Sequence, residues 1–460
     1  DGDRNGHLAN QRISVLPGDR KHQSHGAQQQ DSPYNSAIRH AAPDPVPGLR
    51  LQGPPWQTRP APHMDNETID SIDGEAMCEQ ALRWSAINSG TGHLEGLAKM
   101  ASELSEAFSA LPGEVELVDP APVTAIDGDG REVEVANGRH LICRVRPDAQ
   151  RRLILTGHMD TVFPPDHPFQ QNTWLDDHTV NGPGTADMKG GIAVMLHALM
   201  AVERSGRGEM LGYDVLINAD EETGSLSSAP LIEQLAQGKY AALTYEPAAT
   251  PEGTLAHARG GSGNYALTIK GLAAHAGRNP QDGRNAVLAA SDIALRLEAL
   301  QQEDISINPA RIEGGSANNV VPDHAVLRFN IRPKAPDAAE RFAQQLTEVI
   351  GTVQQSREVE IAVHGGISRP PKPVDRKAQA LFDLVRDCGA QLGQDIDWKS
   401  TGGVCDGNNI AATGVPVVDT MGVRGDKIHS ADEFMIVPSL KERAALSALV
   451  ISRLAEGNLA

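Results

Sequence analysis

The spacing of apolar residues changes period along the chain, and each period predicts an element. In residues 68–111, Ala76, Ala81, Leu82 and Trp84, then Leu97, Met100, Leu104 and Phe108, recur at helical spacing. Leu111-Pro112-Gly113 stops the second of these helices. Residues 115–118 and 131–146 alternate as half-buried strands do, with a turn at Asp127-Gly128-Asp129-Gly130. This stretch reads as scaffold. Leu153, Ile154 and Leu155 make the short apolar run of a buried strand, and residues 213–218, 241–244 and 415–419 read the same way. Between the first two of these runs, Ile192, Met195, Leu196, Leu199 and Met200 mark the buried stripe of a helix. Strands alternating with helices predict an α/β fold.

Polar chemistry gathers where these strands end. The first runs into Thr156-Gly157-His158-Met159-Asp160, and an open α/β sheet binds ligands beyond the carboxyl ends of its strands. His158 can bind a metal through one ring nitrogen while Asp160 orients the ring. The Gly-rich turn at residues 181–191 lacks the Gly-Lys-Ser/Thr ending of a phosphate loop, and Asp187 within it would repel phosphate. Asp187 either caps the following helix or faces a cation. Asp220-Glu221-Glu222 ends the next strand, either as a solvated acidic loop or as carboxylates gathered around a cation. Glu246 closes the 241–244 strand, and His429 follows the last one. Together His158, Asp187, Glu222, Glu246 and His429 make a ligand set for two zinc-like ions, with Asp187 as the bridge. Alternation along an extended strand end turns Glu221 away from Glu222 and frees it to act as base.

Composition narrows the picture. The chain has 460 residues and a net charge of -19, room for two domains and a poor match to nucleic acid or an anionic membrane surface. Its four cysteines, Cys78, Cys143, Cys388 and Cys405, are too scattered for a disulfide framework or a cysteine zinc site. No apolar run is long enough to span a membrane. Residues 1–63 are rich in Gly, Pro, Gln, His and Arg and lack both apolar periodicity and a signal-like core. A disordered tail is expected there, with Met64 as the biological start and a cytoplasmic location.

Five segments in order carry a resemblance: residues 156–163 (TGHMDTVF), 182–191 (GPGTADMKGG), 220–225 (DEETGS), 245–247 (YEP) and 428–430 (IHS). With them the chain resembles the dinuclear zinc aminoacylase and carboxypeptidase family, which includes glutamate carboxypeptidase, acetylornithine deacetylase and succinyl-diaminopimelate desuccinylase. The Gly-Pro-Gly form of the second segment and Glu at 246 look most like the glutamate carboxypeptidase branch. The resemblance implies a zinc-exopeptidase-like catalytic domain with a mixed, mostly parallel sheet (residues 64–260 and 367–460). A smaller α/β sandwich, residues 261–366, would interrupt it as a lid and dimerisation domain. Within the lid, strands are expected at 264–269, within 305–331 and at 359–363, and helices at 285–300 and 338–353.

The resemblance also implies two zinc ions per chain, replaceable by cobalt or manganese, and a homodimer formed through the lid. The substrate would be an N-acyl amino acid or short peptide whose amide bond is cleaved to release a carboxylate-bearing amino acid. A biosynthetic deacylase is the alternative activity, and an inactive binding module the alternative outside enzymes. By the same resemblance His275, in His-Ala-Gly, reaches the partner subunit's site and stabilises the oxyanion, while Asn319, Arg332 and Arg369 hold the substrate's carboxylate. His324 is expected to be merely exposed. The sequence departs from the family at Cys405, where relatives often carry Ser or Thr. It departs again at Arg424 and Asp426, charges expected to alter which group fits. Cys405 has no paired base in sequence reach and is not expected to be a nucleophile.

Overall fold

The computed structural model describes residues 66–459. The expected tail and the start at Met64 lie outside the described residues. The helices expected before residue 111 are Gly74–Ser85 and Leu94–Phe108, after a short helix Asn66–Asp70. Asp73 starts the first by accepting from the backbone N–H groups of Glu75 (3.0 Å) and Ala76 (3.1 Å).

The main sheet has six strands, in the order Glu114–Val118, His140–Val145, Leu211–Asn218, Arg151–His158, Ala241–Thr244 and Val417–Val418. The first two junctions are antiparallel and the other three parallel, so the sheet is mixed as expected. Alternation decides which side each residue serves. Leu153 and Leu155 join Val215, Ile217 and Leu243 on one face, where the helices Gly190–Arg204 and Ser439–Glu456 pack with the two N-terminal ones. Ile154 joins Ile142, Leu216 and Ala242 on the other, under Ala229–Ala236 and Asp406–Ala412. Both faces are covered, so every position of Leu211–Asn218 is buried. The four cysteines are unpaired and buried.

A second core lies between Ser262 and Arg369. Four antiparallel strands, ordered Ile305–Gly314, His324–Pro333, Ser262–Lys270 and Glu360–Arg369, carry the helices Ala286–Glu298 and Pro336–Arg357 on one face. Leu267, Ile269, Phe329 and Ile331 meet Ile293, Leu297, Phe342 and Leu346 there. The chain leaves and re-enters this unit through paired backbone: Arg259 donates to Lys372 (3.0 Å) and Lys372 to Arg259 (2.9 Å). We propose this unit as the lid domain, with residues 64–260 and 367–460 as the catalytic domain.

Residues 131–146 are two strands rather than one. Glu132–Val135 pairs with Val123–Ile126 in a separate hairpin, and His140–Val145 enters the main sheet. The alternation is common to both strands and does not record the change of partner at Asn137-Gly138. The hairpin lies on the otherwise open face of the second sheet, where Ile126 clusters with Ala266 and Val326. Arg328 donates to the carbonyls of Ile126 (2.6 Å) and Asp127 (3.0 Å). His324 is half-buried against the hairpin tip, 3.4 Å from the Gly128 carbonyl, rather than simply exposed.

Candidate active site

Three parallel strands deliver the site. His158 ends Arg151–His158 and lies in register with Asn218, the end of Leu211–Asn218, while Thr156 pairs with Thr244. Glu221, Glu222 and Glu246 therefore emerge at the same edge as His158. The Gly-rich turn becomes a kinked turn Thr185–Lys189 leading into the helix Gly190–Arg204, and it brings in Asp187. His429 arrives from the loop between the strands Gly425–Asp426 and Phe434–Ile436.

Asp187 sits in the middle. Its Oδ1 is 3.1 Å from His158 Nε2, and its Oδ2 is 3.3 Å from His429 Nε2. Glu246 Oε2 lies 3.8 Å from His158 Nε2, and Glu222 Oε2 lies 3.1 Å from His429 Nε2. Ligand atoms around a tetrahedral zinc stand roughly 3.3 Å apart when the bonds are about 2.0 Å. The cluster has that spacing on each side of Asp187. Two metal-sized groupings share His158, one with Asp187 and Glu222 and the other with Glu221 and Glu246.

The chemistry of the donors also fits cations. His158 Nδ1 donates to the Asp160 carbonyl (3.0 Å), which aims the Nε2 side at the carboxylates. Glu246 Oε1 is buried and finds no hydrogen-bond partner among the described residues. Burial pushes Glu222 up to about 7, with Asp187 adding to the shift. Glu246 is raised for the same two reasons. Asp187 is held below the carboxylate range, because His158 and His429 outweigh its burial. His429 is raised to about 11 by Asp187 and Glu222. Crowded carboxylates that can be relieved only by positive charge suit a metal pair.

One expectation about this site needs correction. Glu221 and Glu222 are not on an extended strand end but in the 3-10 turn Glu221–Thr223. Their divergence comes from that turn, closed by Gly224 N–H donating to the Glu221 carbonyl (2.8 Å). Asp160 faces His158 with both groups: its backbone carbonyl accepts from Nδ1 (3.0 Å), and its Oδ1 lies 3.5 Å from the same nitrogen. Its carboxylate also accepts from the N–H groups of Glu221 and Glu222 (3.2 Å each) and from the Thr91 hydroxyl (2.6 Å).

A cavity of about 530 Å³ opens over the cluster, lined by Asp187, Glu221, Glu222, Glu246 and His429 and also by Arg332 and Lys399. Arg332 is exposed and donates to Asn330 (2.9 Å). Arg369 also lines the cavity but is buried, bonded to Glu221 Oε1 (2.7 Å). His275 and Asn319 are exposed and outside this lining; Ala276 N–H donates to the Asn319 carbonyl (2.9 Å), so the two lie together elsewhere. Asp426 reaches the cavity. Arg424 is paired with Glu442 (3.0 Å) and lies outside that lining, so of those two charges only Asp426 faces the cavity. Cys405 lines the cavity as a buried thiol raised by that burial, unsuited to act as a thiolate.

Sequence reading missed Glu433. Its buried carboxylate accepts from the N–H groups of Gly184 (3.1 Å), Ala186 (3.0 Å) and Asp187 (3.1 Å), tying the Asp187 turn to the His429 loop. Burial, then Asp187, pushes Glu433 up to about 8. Its only signal in the sequence is position, four residues after His429.

The profile of Peptidase family M20/M25/M40 matches residues 154–453, which include every residue of the cluster. The chain belongs to that family. As a member of Peptidase family M20/M25/M40 it is a hydrolytic, metal-binding enzyme. It is 28% identical over 380 residues to carboxypeptidase G2 of Pseudomonas sp. (strain RS-16), covering 81% of this chain and 87% of that one. A tripeptidase from Staphylococcus aureus has the same fold at a TM-score of 0.65 and 24% identity, over 84% of this chain and 99% of that one. A dinuclear metal binding peptidase of the family from Bacillus subtilis matches at a TM-score of 0.58 and 14% identity, over 85% and 99% of the two chains. Among the described residues no helix is long and apolar enough to cross a membrane.

Proposed function

We propose that this enzyme is a zinc-dependent carboxypeptidase-like amidohydrolase that releases a carboxylate-bearing amino acid, glutamate foremost, from an N-acyl or peptidyl group. The observation that carries the reading is the exposed Arg332 guanidinium in the same cavity as the His158–Asp187–His429 cluster. Arginine meets a carboxylate with two parallel hydrogen bonds, which fixes orientation as well as affinity. Similarity to carboxypeptidase G2 supports the same choice.

His158, Asp187 and Glu246 would hold one ion, and His429, Asp187 and Glu222 the other. When bound, two such ions lower the pKa of a shared water and polarise the scissile carbonyl. Glu221 takes the proton of the attacking water and passes it to the leaving nitrogen. Arg332 holds the leaving amino acid's carboxylate and so places the amide. His275 and Asn319, exposed and side by side, are read as groups that a second copy of the chain presents, His275 to the oxyanion and Asn319 to the carboxylate.

The test is elemental analysis of the purified protein together with amino-acid release from a panel of N-acyl amino acids that includes N-benzoylglutamate. About two zinc ions per chain, with glutamate release abolished by a chelator and restored by zinc, is the expected result. Metal without glutamate release moves the substrate to another member of the panel. No bound metal and no activity after zinc is restored would overturn the ligand assignment.

A further inference from the structure

Arg369 ends the strand Glu360–Arg369 and is only 1% exposed. Both of its terminal nitrogens are occupied by protein groups. Nη1 donates to Asp406 Oδ1 and to Asn409 Oδ1 (2.8 Å). Nη2 donates to Glu221 Oε1 (2.7 Å), to the Glu221 carbonyl (3.3 Å) and to Ser225 Oγ (2.8 Å). Asp406 is fixed in turn by Asn218 Nδ2 (2.8 Å) and by the Ser225 hydroxyl (2.6 Å). Asn218 and Ser225 are the two ends of the loop that carries Glu221. The loop is thus closed on itself through one buried acid and one buried guanidinium. Arg332 has the opposite character: it is exposed, and its Nε donates to Asn330 Oδ1 (2.9 Å) while the side chain stays open to the cavity.

We infer that Arg369 is a positioning residue that holds the Glu221 carboxylate for proton transfer, and that it is not a contact for the substrate's carboxylate. A glutamate side chain has three rotatable bonds, and a base that wanders among rotamers loses the alignment proton transfer needs. The guanidinium takes Oε1 and the Glu221 carbonyl together, so side chain and backbone are held by one group. Asp406 keeps that group in place from behind. The two arginines of the cavity then divide the work: Arg332 meets the substrate and Arg369 meets the base. This inference rests on the reading of Glu221 as the base.

The experiment is steady-state kinetics of Arg369→Gln, Asp406→Asn, Glu221→Gln and the double variant Glu221→Gln/Arg369→Gln. The substrate is N-benzoylglutamate or the fastest member of the panel, with metal content and melting temperature measured on each variant. Arg369→Gln is expected to lower kcat about tenfold or more while KM stays within about twofold and metal content is unchanged. The double variant is expected to be no slower than Glu221→Gln alone, because a residue acting through Glu221 has nothing left to position. Asp406→Asn should reproduce the kcat loss, and it carries the test if Arg369→Gln does not fold. A raised KM with unchanged kcat would make Arg369 a substrate contact and overturn the inference. Additive losses in the double variant, or loss of metal from Arg369→Gln, would overturn it as well. Near-normal turnover by Glu221→Gln is a separate failure, that of the base assignment itself.

Discussion

Individual residues carry the chemistry through what their neighbours demand of them. His158 and His429 face opposite oxygens of Asp187, and each also faces a terminal carboxylate. These five residues could be picked out of the sequence because each stands at the end of a strand or in a Gly-rich turn. Their supports could not. Glu433 acts 246 residues away from Asp187 through backbone N–H groups that have no sequence signature. Replacing Glu433 with Ala should leave the Asp187 turn without its acceptor and weaken metal retention about 10- to 100-fold, measured by competition with a chelator. Replacing Glu221 with Ala should lower turnover by roughly 10² to 10⁴ with both ions retained. Near-wild-type turnover would remove Glu221 from the role of base.

At the scale of elements, local period and tertiary contact contribute differently. Alternation in Leu153-Ile154-Leu155 splits the strand between two cores, which is why a run of three apolar residues reads as continuous. Ile154→Ala would open a cavity beneath Ala229–Ala236 and cost about 2–5 kcal/mol, seen as a lower urea midpoint with little change in slope. The acidic loop is the opposite case. Consecutive glutamates after a strand suggest continued extension, yet the chain turns at once because Asp160 collects both of their N–H groups. A carboxylate from just beyond the end of another strand overrides the local tendency. The hairpin Val123–Ile126/Glu132–Val135 makes the same point, since Arg328 of its partner sheet lies 202 residues beyond Ile126 in the chain.

Across the whole molecule, buried ion pairs join the segments that the fold brings together. Asp419 follows the last parallel strand and is fully buried between Arg259 (2.8 Å) and Lys372 (2.9 Å), the residues at the two crossings between the cores. Burial alone would raise its pKa, but Arg259 and then Lys372 outweigh burial and hold it below the ordinary value. A depressed folded pKa contributes stability that is fully present above the unfolded value, about 3.9, and is lost as pH falls through the folded one. Urea unfolding between pH 6 and 2 should therefore show an acid-side loss that Asp419→Asn reduces. The variant should also be less stable at neutral pH by about 3–5 kcal/mol, because it leaves two buried cations unpaired. An unchanged acid limb in that variant would remove Asp419 from the linkage.

The sequence by itself determined the α/β class, the buried strands and the five side chains able to gather around two ions. Those properties are written in consecutive residues: a period of two or of 3.6, a glycine turn, an acid or histidine at a strand end. It also carried enough of the family's segments, in order, to place the chain among metal-dependent hydrolases. Only the tertiary structure decided which groups hold those side chains. Arg369 looked like a substrate contact in the sequence and lies bonded to Glu221, 148 residues away. Arg424 looked like a specificity charge and turns to Glu442. A periodic pattern records which face of an element is buried. It does not record which distant hydrogen-bonding group the packing of layers will set against that face, and the supports of this site are of that second kind.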